Sequence, residues 1–283
     1  MQASTLRRIT RFLAPLKPLS RRWVWHLLDR GWVRFEAPEI VDLRWDVGRI
    51  EIRDCRENIQ SDLYFRGTWE EADSRFVRNL LRAGDVVVDV GANLGWYSLL
   101  AARTVGPGGR VLCVEPSAAL CDRLRHTVEL NALGNVIVER CALSEGEGEA
   151  RLFALDHTNS GLGSIMWRRV PEDAERVPTR SMDGLLGAHG IERARLAKID
   201  VEGAEALVMA GMQRTLERAV FDYFVIEVGG PRLQRQGTSA RAIVEAFEKH
   251  GYRCQSLVEG RPGVIDYERL EKRGDSNLFV SRW

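Results

Sequence analysis

The chain has 283 residues, 45% hydrophobic and 29% charged, ordinary values for a soluble globular protein. The net charge of +1 hides an asymmetry: residues 1–34 carry eight basic side chains against Asp29, +7 locally, so the rest sums to −6 and offers no basic field for nucleic acid. The five cysteines (Cys55, Cys113, Cys121, Cys141, Cys254) lack C-x-x-C spacing, which excludes a zinc or disulfide framework and points to free thiols in the cytoplasm, and no apolar run is long enough for a transmembrane helix.

Residues 5–32 mix arginines with Trp23, Trp25 and Trp32, and Pro15 and Pro18 break the stretch into short helices. It reads either as a peripheral contact for anionic lipid or an acidic carrier protein, or as a lid, substrate cap or homodimer arm packed on the main domain. Residues 40–52 alternate about a turn at Asp46-Val47-Gly48, the pattern of a β-hairpin. Residues 1–58 are accordingly expected to form an extension and 59–283 the main domain. An amphipathic helix follows over 71–81. Glu70, just ahead of it, is either a helix-terminal acid favoured by the dipole or a wall of the ligand pocket.

The β-branched run Val86-Val87-Val88-Asp89-Val90 predicts a strand buried on both faces. It passes through Gly91-Ala92-Asn93-Leu94-Gly95 into a helix. A strand, a glycine turn and a helix N-terminus hold nucleotide-like ligands against backbone amides. The spacing is D-x-G-x-x-x-G, with Asn93 where a dinucleotide fingerprint needs its middle glycine. Asp89 would repel a pyrophosphate and suits a cationic ligand such as S-adenosylmethionine. A second strand, Val111 to Val114, ends at Glu115 with the offset of a ribose-binding acid. Ser117 reads as the N-cap of a helix to residue 130. A strand over 136–140 leads to Cys141 and Ala142, where a doubly wound sheet presents backbone to an adenine.

Residues 150–155 read as a short strand and 156–164 as a polar, glycine-rich loop holding His157, an exposed residue or a base. A strand over 195–201 runs into Glu202-Gly203-Ala204-Glu205 and one helix to about residue 216. Further strands are expected at Phe221–Val228, 252–257 and 277–280, with a helix over 239–250. The fold class is α/β: a doubly wound, mostly parallel seven-stranded sheet behind a helical and hairpin extension.

Val88-Asp89-Val90-Gly91-Ala92-Asn93-Leu94-Gly95, Val114-Glu115-Pro116 and Lys198-Ile199-Asp200-Val201-Glu202-Gly203-Ala204-Glu205 resemble the FkbM family of methyltransferases, of the class I fold. Gly67-Thr68-Trp69-Glu70 and Val225-Ile226-Glu227 agree with it. The resemblance covers roughly residues 59–228. It implies O-methylation of a small-molecule hydroxyl on a sugar, polyketide or other secondary metabolite, with S-adenosylmethionine as donor. It also implies that Asp89, Gly91, Ala92, Asn93 and Gly95 line the methionine side of the cofactor, that Glu115 takes the ribose, and that Ser117, Cys141 and Ala142 border the adenine.

In-line methyl transfer needs alignment and a base for the hydroxyl proton. Asp200, then Glu202, then Glu227 are the candidate bases, with Lys198 paired to one of them and keeping it ionised. Alternatively, Asp200 and Glu227 hold a divalent cation, Mg²⁺ rather than Zn²⁺ for an all-oxygen set, or the cluster is a structural charge network. N-methylation of a small molecule or peptide and a non-catalytic nucleotide-binding protein are the alternative functions. Base methylation of nucleic acid lacks its Pro-Pro-aromatic motif here.

Overall fold

The computed structural model describes residues 2–5, 7, 26, 30, 34–154, 163–165, 174–272 and 276–282. The arginine- and tryptophan-rich stretch lies almost wholly outside these, as does His157. The hairpin forms as expected from β1 (Glu39–Asp42) and β2 (Arg49–Ile52), its alternation burying Val41, Ile50 and Ile52. Helix α1 (Asn58–Arg66) starts where the Glu57 carboxylate accepts the Ile59 and Gln60 amides, and stops at Gly67, φ 74°. Helix α2 (Glu71–Leu80) follows.

The main sheet then begins with β3 (Val86–Val90), α3 (Trp96–Val105), β4 (Arg110–Val114), α4 (Ala118–Leu130) and β5 (Val136–Glu139). A smaller sheet is inserted next: β6 (Ala142–Leu143), β7 (Gly148–Ala154), β8 (Gly163–Ser164) and β9 (Glu175–Arg180), in the order β6-β9-β7-β8. The chain returns through α5 (Met182–Ala188), β10 (Ala194–Ile199), α6 (Glu205–Ala210), α7 (Gln213–Glu217), β11 (Phe221–Val228), α8 (Gly230–Arg235), α9 (Ala240–Lys249), β12 (Arg253–Val258), β13 (Arg261–Gly263), α10 (Tyr267–Lys272) and β14 (Ser276–Ser281).

The large sheet has the order β13-β12-β14-β11-β10-β3-β4-β5. Strands β5, β4, β3, β10 and β11 are mutually parallel, and β14 inserts antiparallel between β11 and β12. This is the expected mostly parallel, class I methyltransferase arrangement, with eight strands instead of seven because short β13 folds back on β12. The strand order reverses between β3 and β10, so their carboxyl ends flank the crevice where such sheets bind ligands.

Two cores cover the two faces. Val87, Leu196, Val225 and Phe279 meet the hairpin and α1–α4, whereas Val88, Val90, Ala197, Ile199 and Phe224 meet α5–α9. One expected helix is two. A Cβ at Gly211 would lie 2.0 Å from the Ser144 carbonyl oxygen, and α6 ends one residue before this close approach. Helices α1, α5, α8 and α10 and strands β6, β8, β9 and β13 lay outside the sequence expectation, β8 pairing with β7 inside the stretch expected to be a loop.

Asn131, at the end of α4, clamps the hairpin. Its Oδ1 accepts the Arg49 amide at 2.7 Å and its Nδ2 donates to the Arg49 and Thr127 carbonyls, both at 2.7 Å. Asn131→Ala leaves these buried and half-buried backbone groups without that partner, so it is expected to cost about 1–3 kcal/mol. In denaturant unfolding this appears as a lower midpoint with an unchanged slope.

Candidate active site

Parallel register places Lys198 of β10 opposite Asp89 of β3, and Asp89 opposite Cys113 of β4. Period-two alternation therefore puts these side chains on one face, toward α3. Asp89 is buried, and its Oδ2 accepts the Ser98 hydroxyl at 2.6 Å, which accepts the Cys113 thiol. Lys198 Nζ donates to Asp200 Oδ2 at 2.8 Å and sits 4.7 Å from the centre of the Tyr97 ring. The Tyr97 hydroxyl donates to Glu70 Oε2 at 2.8 Å. Burial pushes the Asp89 and Glu70 carboxyls up, partly offset by Lys198. Burial also pulls Lys198 down, but Asp200, Glu70 and Asp89 outweigh it, so its ammonium is held above the ordinary lysine value.

The glycine turn is fixed by its own chain. The Gly91 and Ala92 amides donate to the Val114 carbonyl, and the Asp200 amide to the Val90 carbonyl. At φ 78° Gly91 packs so closely that a Cβ would lie 1.8 Å from the Asp200 carbonyl oxygen. A Cβ at Gly95 would meet Leu124 at 2.4 Å. Glu115, at the neighbouring tip, accepts the Asn93 amide at 2.9 Å and the Ser117 amide at 3.0 Å, one on each oxygen. Burial nevertheless raises its carboxyl to about 7, the two amides opposing it. Ser117 caps α4 through the Leu120 amide. Cys141 is buried, and Ala142 lies in β6, paired with Thr179 of β9. Three functional candidates hold left-handed backbone: Glu70 (φ 44°), Asn93 (φ 52°) and Glu202 (φ 52°). Such strain in non-glycine residues concentrates at binding sites.

Carboxylate oxygens of Asp200, Glu202 and Glu227 all lie within 4.8 Å of one another. Arg232 of α8 forms ion pairs with Glu202 at 2.5 Å and with Glu227 at 3.3 Å. Glu205, fully buried behind this group, accepts the Gly203 amide at 2.9 Å, and burial raises its carboxyl to about 7. The sheet thus brings together Glu70, Asp89, Lys198, Asp200, Glu202 and Glu227. Asn93 and Glu115 form the adjoining tip, and Ser117 faces α4.

The model of the methyltransferase FkbM domain matches residues 89–254, more than half of the chain. The chain belongs to the FkbM family of methyltransferases. Among curated relatives, the AMB antimetabolite synthetase AmbE of Pseudomonas aeruginosa is 28% identical over 70% of this methyltransferase, which spans only 11% of that protein. The hexuronic acid methyltransferase AglP of Haloferax volcanii is 24% identical over 76% of this chain and 84% of its own. The 31-O-demethyl-FK506 methyltransferase FkbM of Streptomyces tacrolimicus is 31% identical over 47% and 61%. The enzyme is an S-adenosylmethionine-dependent methyltransferase, and the strand tips suit that donor. Glu70, Asp89 and Asp200 against the single Lys198 leave an acidic surplus for a sulfonium and an ammonium, and would repel a pyrophosphate. Among the described residues, no helix is long and apolar enough to cross a membrane.

Sequence reading missed Tyr97, Ser98 and Arg232, which orient Glu70, Asp89 and the Glu202–Glu227 pair. It also missed Glu175 of β9, which accepts the Ala118 amide at the start of α4. Pro231 just after Gly230 is a helix-start signal that would have placed Arg232 on a helix facing those acids.

Glu115 and Glu205 both have folded-state pKa values of about 7, above the ordinary 4.5. Raised values mean stability that is complete below about 4.5 and lost as pH rises through about 7. The ligand-free melting temperature should therefore fall between pH 5 and pH 8. Glu115→Gln forfeits one amide bond, so it should melt lower throughout but with a flatter decline over that interval.

Proposed function

We propose that this enzyme methylates a hydroxyl of a small cytoplasmic molecule, a sugar, polyketide or other secondary metabolite, with Asp200 as the general base. The observation that carries this reading is the placement of Asp200. Its carboxylate stands at the tip of β10, beside the glycine turn, with Oδ2 fixed on Lys198. When bound, S-adenosylmethionine supplies a methyl group on positively charged sulfur, open to in-line attack. Asp89 and Glu70 would face its ammonium, the Asn93–Glu115 tip its ribose, and the backbone around Cys141 and Ala142 its adenine. With Oδ2 held, Oδ1 of Asp200 is the atom that takes the acceptor's proton as its oxygen attacks. The Streptomyces relative, a 31-O-demethyl-FK506 methyltransferase, supports a hydroxyl acceptor.

Glu202 and Glu227 serve as orienting acids in this reading, since Arg232 holds both. The set does not fit Mg²⁺ well. Two cations already stand on these three carboxylates, and a divalent ion would have to displace Arg232 or Lys198. The extension over residues 1–58 is read as a cap. Supporting this, Arg7 pairs with Glu39 at 3.3 Å, and Glu39 accepts the Tyr64 hydroxyl at 2.8 Å.

Asp200→Asn should lower kcat for a hydroxyl acceptor by about 10²–10⁴-fold. S-adenosylmethionine affinity by calorimetry should stay within a few-fold. An unprotonated amine needs no base, so unchanged turnover in this variant, with amine acceptors methylated, would favour N-methylation.

A further inference from the structure

Glu70 occupies a backbone conformation that non-glycine residues avoid, φ 44° and ψ 56°, in the turn between α1 and α2. A residue stays in that well only where its surroundings hold the chain there. Arg44 holds the approach to the turn: its amide donates to the Gly67 carbonyl at 2.9 Å and its guanidinium to Glu71 at 3.3 Å. Ser74 of α2 holds the turn itself. Its hydroxyl donates to the Trp69 carbonyl at 2.7 Å and its amide to the Glu70 carbonyl at 2.8 Å. These carbonyls belong to the two peptide planes that flank the Glu70 Cα, so one side chain and its own amide fix both of its dihedrals. The amide bond is the ordinary bond of a helix; the hydroxyl bond, reaching five residues back, is not.

Ser74 is fully buried and is itself held from the glycine turn. Trp96 Nε1 donates to its Oγ at 2.8 Å, which leaves the hydroxyl proton for the Trp69 carbonyl. The next residue, Tyr97, donates to the Glu70 carboxylate at 2.8 Å. Trp96 and Tyr97 open α3 directly after Gly95. The helix that starts at the glycine turn therefore restrains Glu70 twice, its backbone through Ser74 and its carboxylate through Tyr97. Alanine at position 74 would keep the helical amide bond and remove the hydroxyl from both the indole N–H and the Trp69 carbonyl. The peptide plane ahead of Glu70 would then be free to leave the left-handed well, and the carboxylate would turn with it.

We propose that Ser74 is a positioning residue for the methyl donor: by holding the left-handed turn at Glu70 it aims that carboxylate at the donor's ammonium group. The proposal rests on the placement of Asp89 and Glu70 around the ammonium and deepens it, naming the side chain that sets one of the two.

The test is calorimetry on the full chain with two ligands that differ only by an ammonium, decarboxylated S-adenosylhomocysteine and 5′-propylthioadenosine. The ratio of their dissociation constants reads the ammonium contact alone. In the parent the amine should bind about tenfold or more tightly than the propyl ligand, as for a charge-assisted hydrogen bond. Glu70→Gln and Ser74→Ala should each shrink this ratio by about fivefold, and the double variant should shrink it no further than Glu70→Gln does. Propyl-ligand affinity within about twofold of the parent shows that each variant folds. Ser74→Cys keeps the volume with a weaker donor, so its ratio should fall between parent and alanine, and it carries the test should the alanine variant not fold. A residue that merely stabilised the fold would weaken both ligands alike and leave the ratio unchanged. A parent-like ratio in the Ser74 variants, or losses that add in the double variant, would overturn the proposal. A parent-like ratio in Glu70→Gln would instead overturn the placement of Glu70 at the ammonium, and the role of Ser74 with it.

Discussion

Lys198 is 5% exposed and stands among carboxylates from three different elements, Asp89 of β3, Asp200 beyond β10 and Glu70 before α2. Moving an ammonium out of water is costly unless partners and geometry repay it. Here the register of β10 on β3 supplies one partner, the residue two positions on supplies another, and the left-handed backbone at Glu70 brings the third. With that one cation in place the acids tolerate one another's proximity. They also keep a surplus of negative charge that a sulfonium donor can neutralise.

The second constraint is the closeness of two backbones. Gly91 lies against the Asp200 carbonyl, so the glycine turn and the tip bearing the candidate base are built as one unit. Glu115 ties the next tip to the same turn through the Asn93 amide. The glycine turn, Asp200 and Glu115 therefore share one junction at the point where the strand order reverses. Rigid placement matters most for a reaction whose barrier is lowered chiefly by alignment.

Strands with continuous β-branched runs were legible from residues alone, as were Asp89 and Glu115 at their tips, because burial on both faces leaves a plain hydrophobic signature. The Lys198–Asp200–Glu202 stretch was also visible, since charges at the end of a buried strand need partners. Which partners they have was not visible, because register and three-dimensional proximity decide it. Arg232 is 30 residues from Glu202 in sequence and meets it only when α8 folds over the tip of β11. The break at Gly211 depends on Ser144, which directly follows β6 and precedes the rest of the inserted sheet in the chain. Helix α1 escaped notice because its buried positions include Gln60, Ser61 and Asp62, which disguise the apolar stripe.

The central claim is that an acid-flanked glycine turn and the adjoining Glu115 tip hold a sulfur nucleoside beside Asp200. A crystal structure with S-adenosylhomocysteine tests it most directly. The ribose hydroxyls should lie within hydrogen-bond distance of the Glu115 carboxylate, with the sulfur facing Asp200 and the amino group on the Asp89–Glu70 side. A nucleoside seated elsewhere, with Glu115 contacting only the Asn93 and Ser117 amides, would contradict the account.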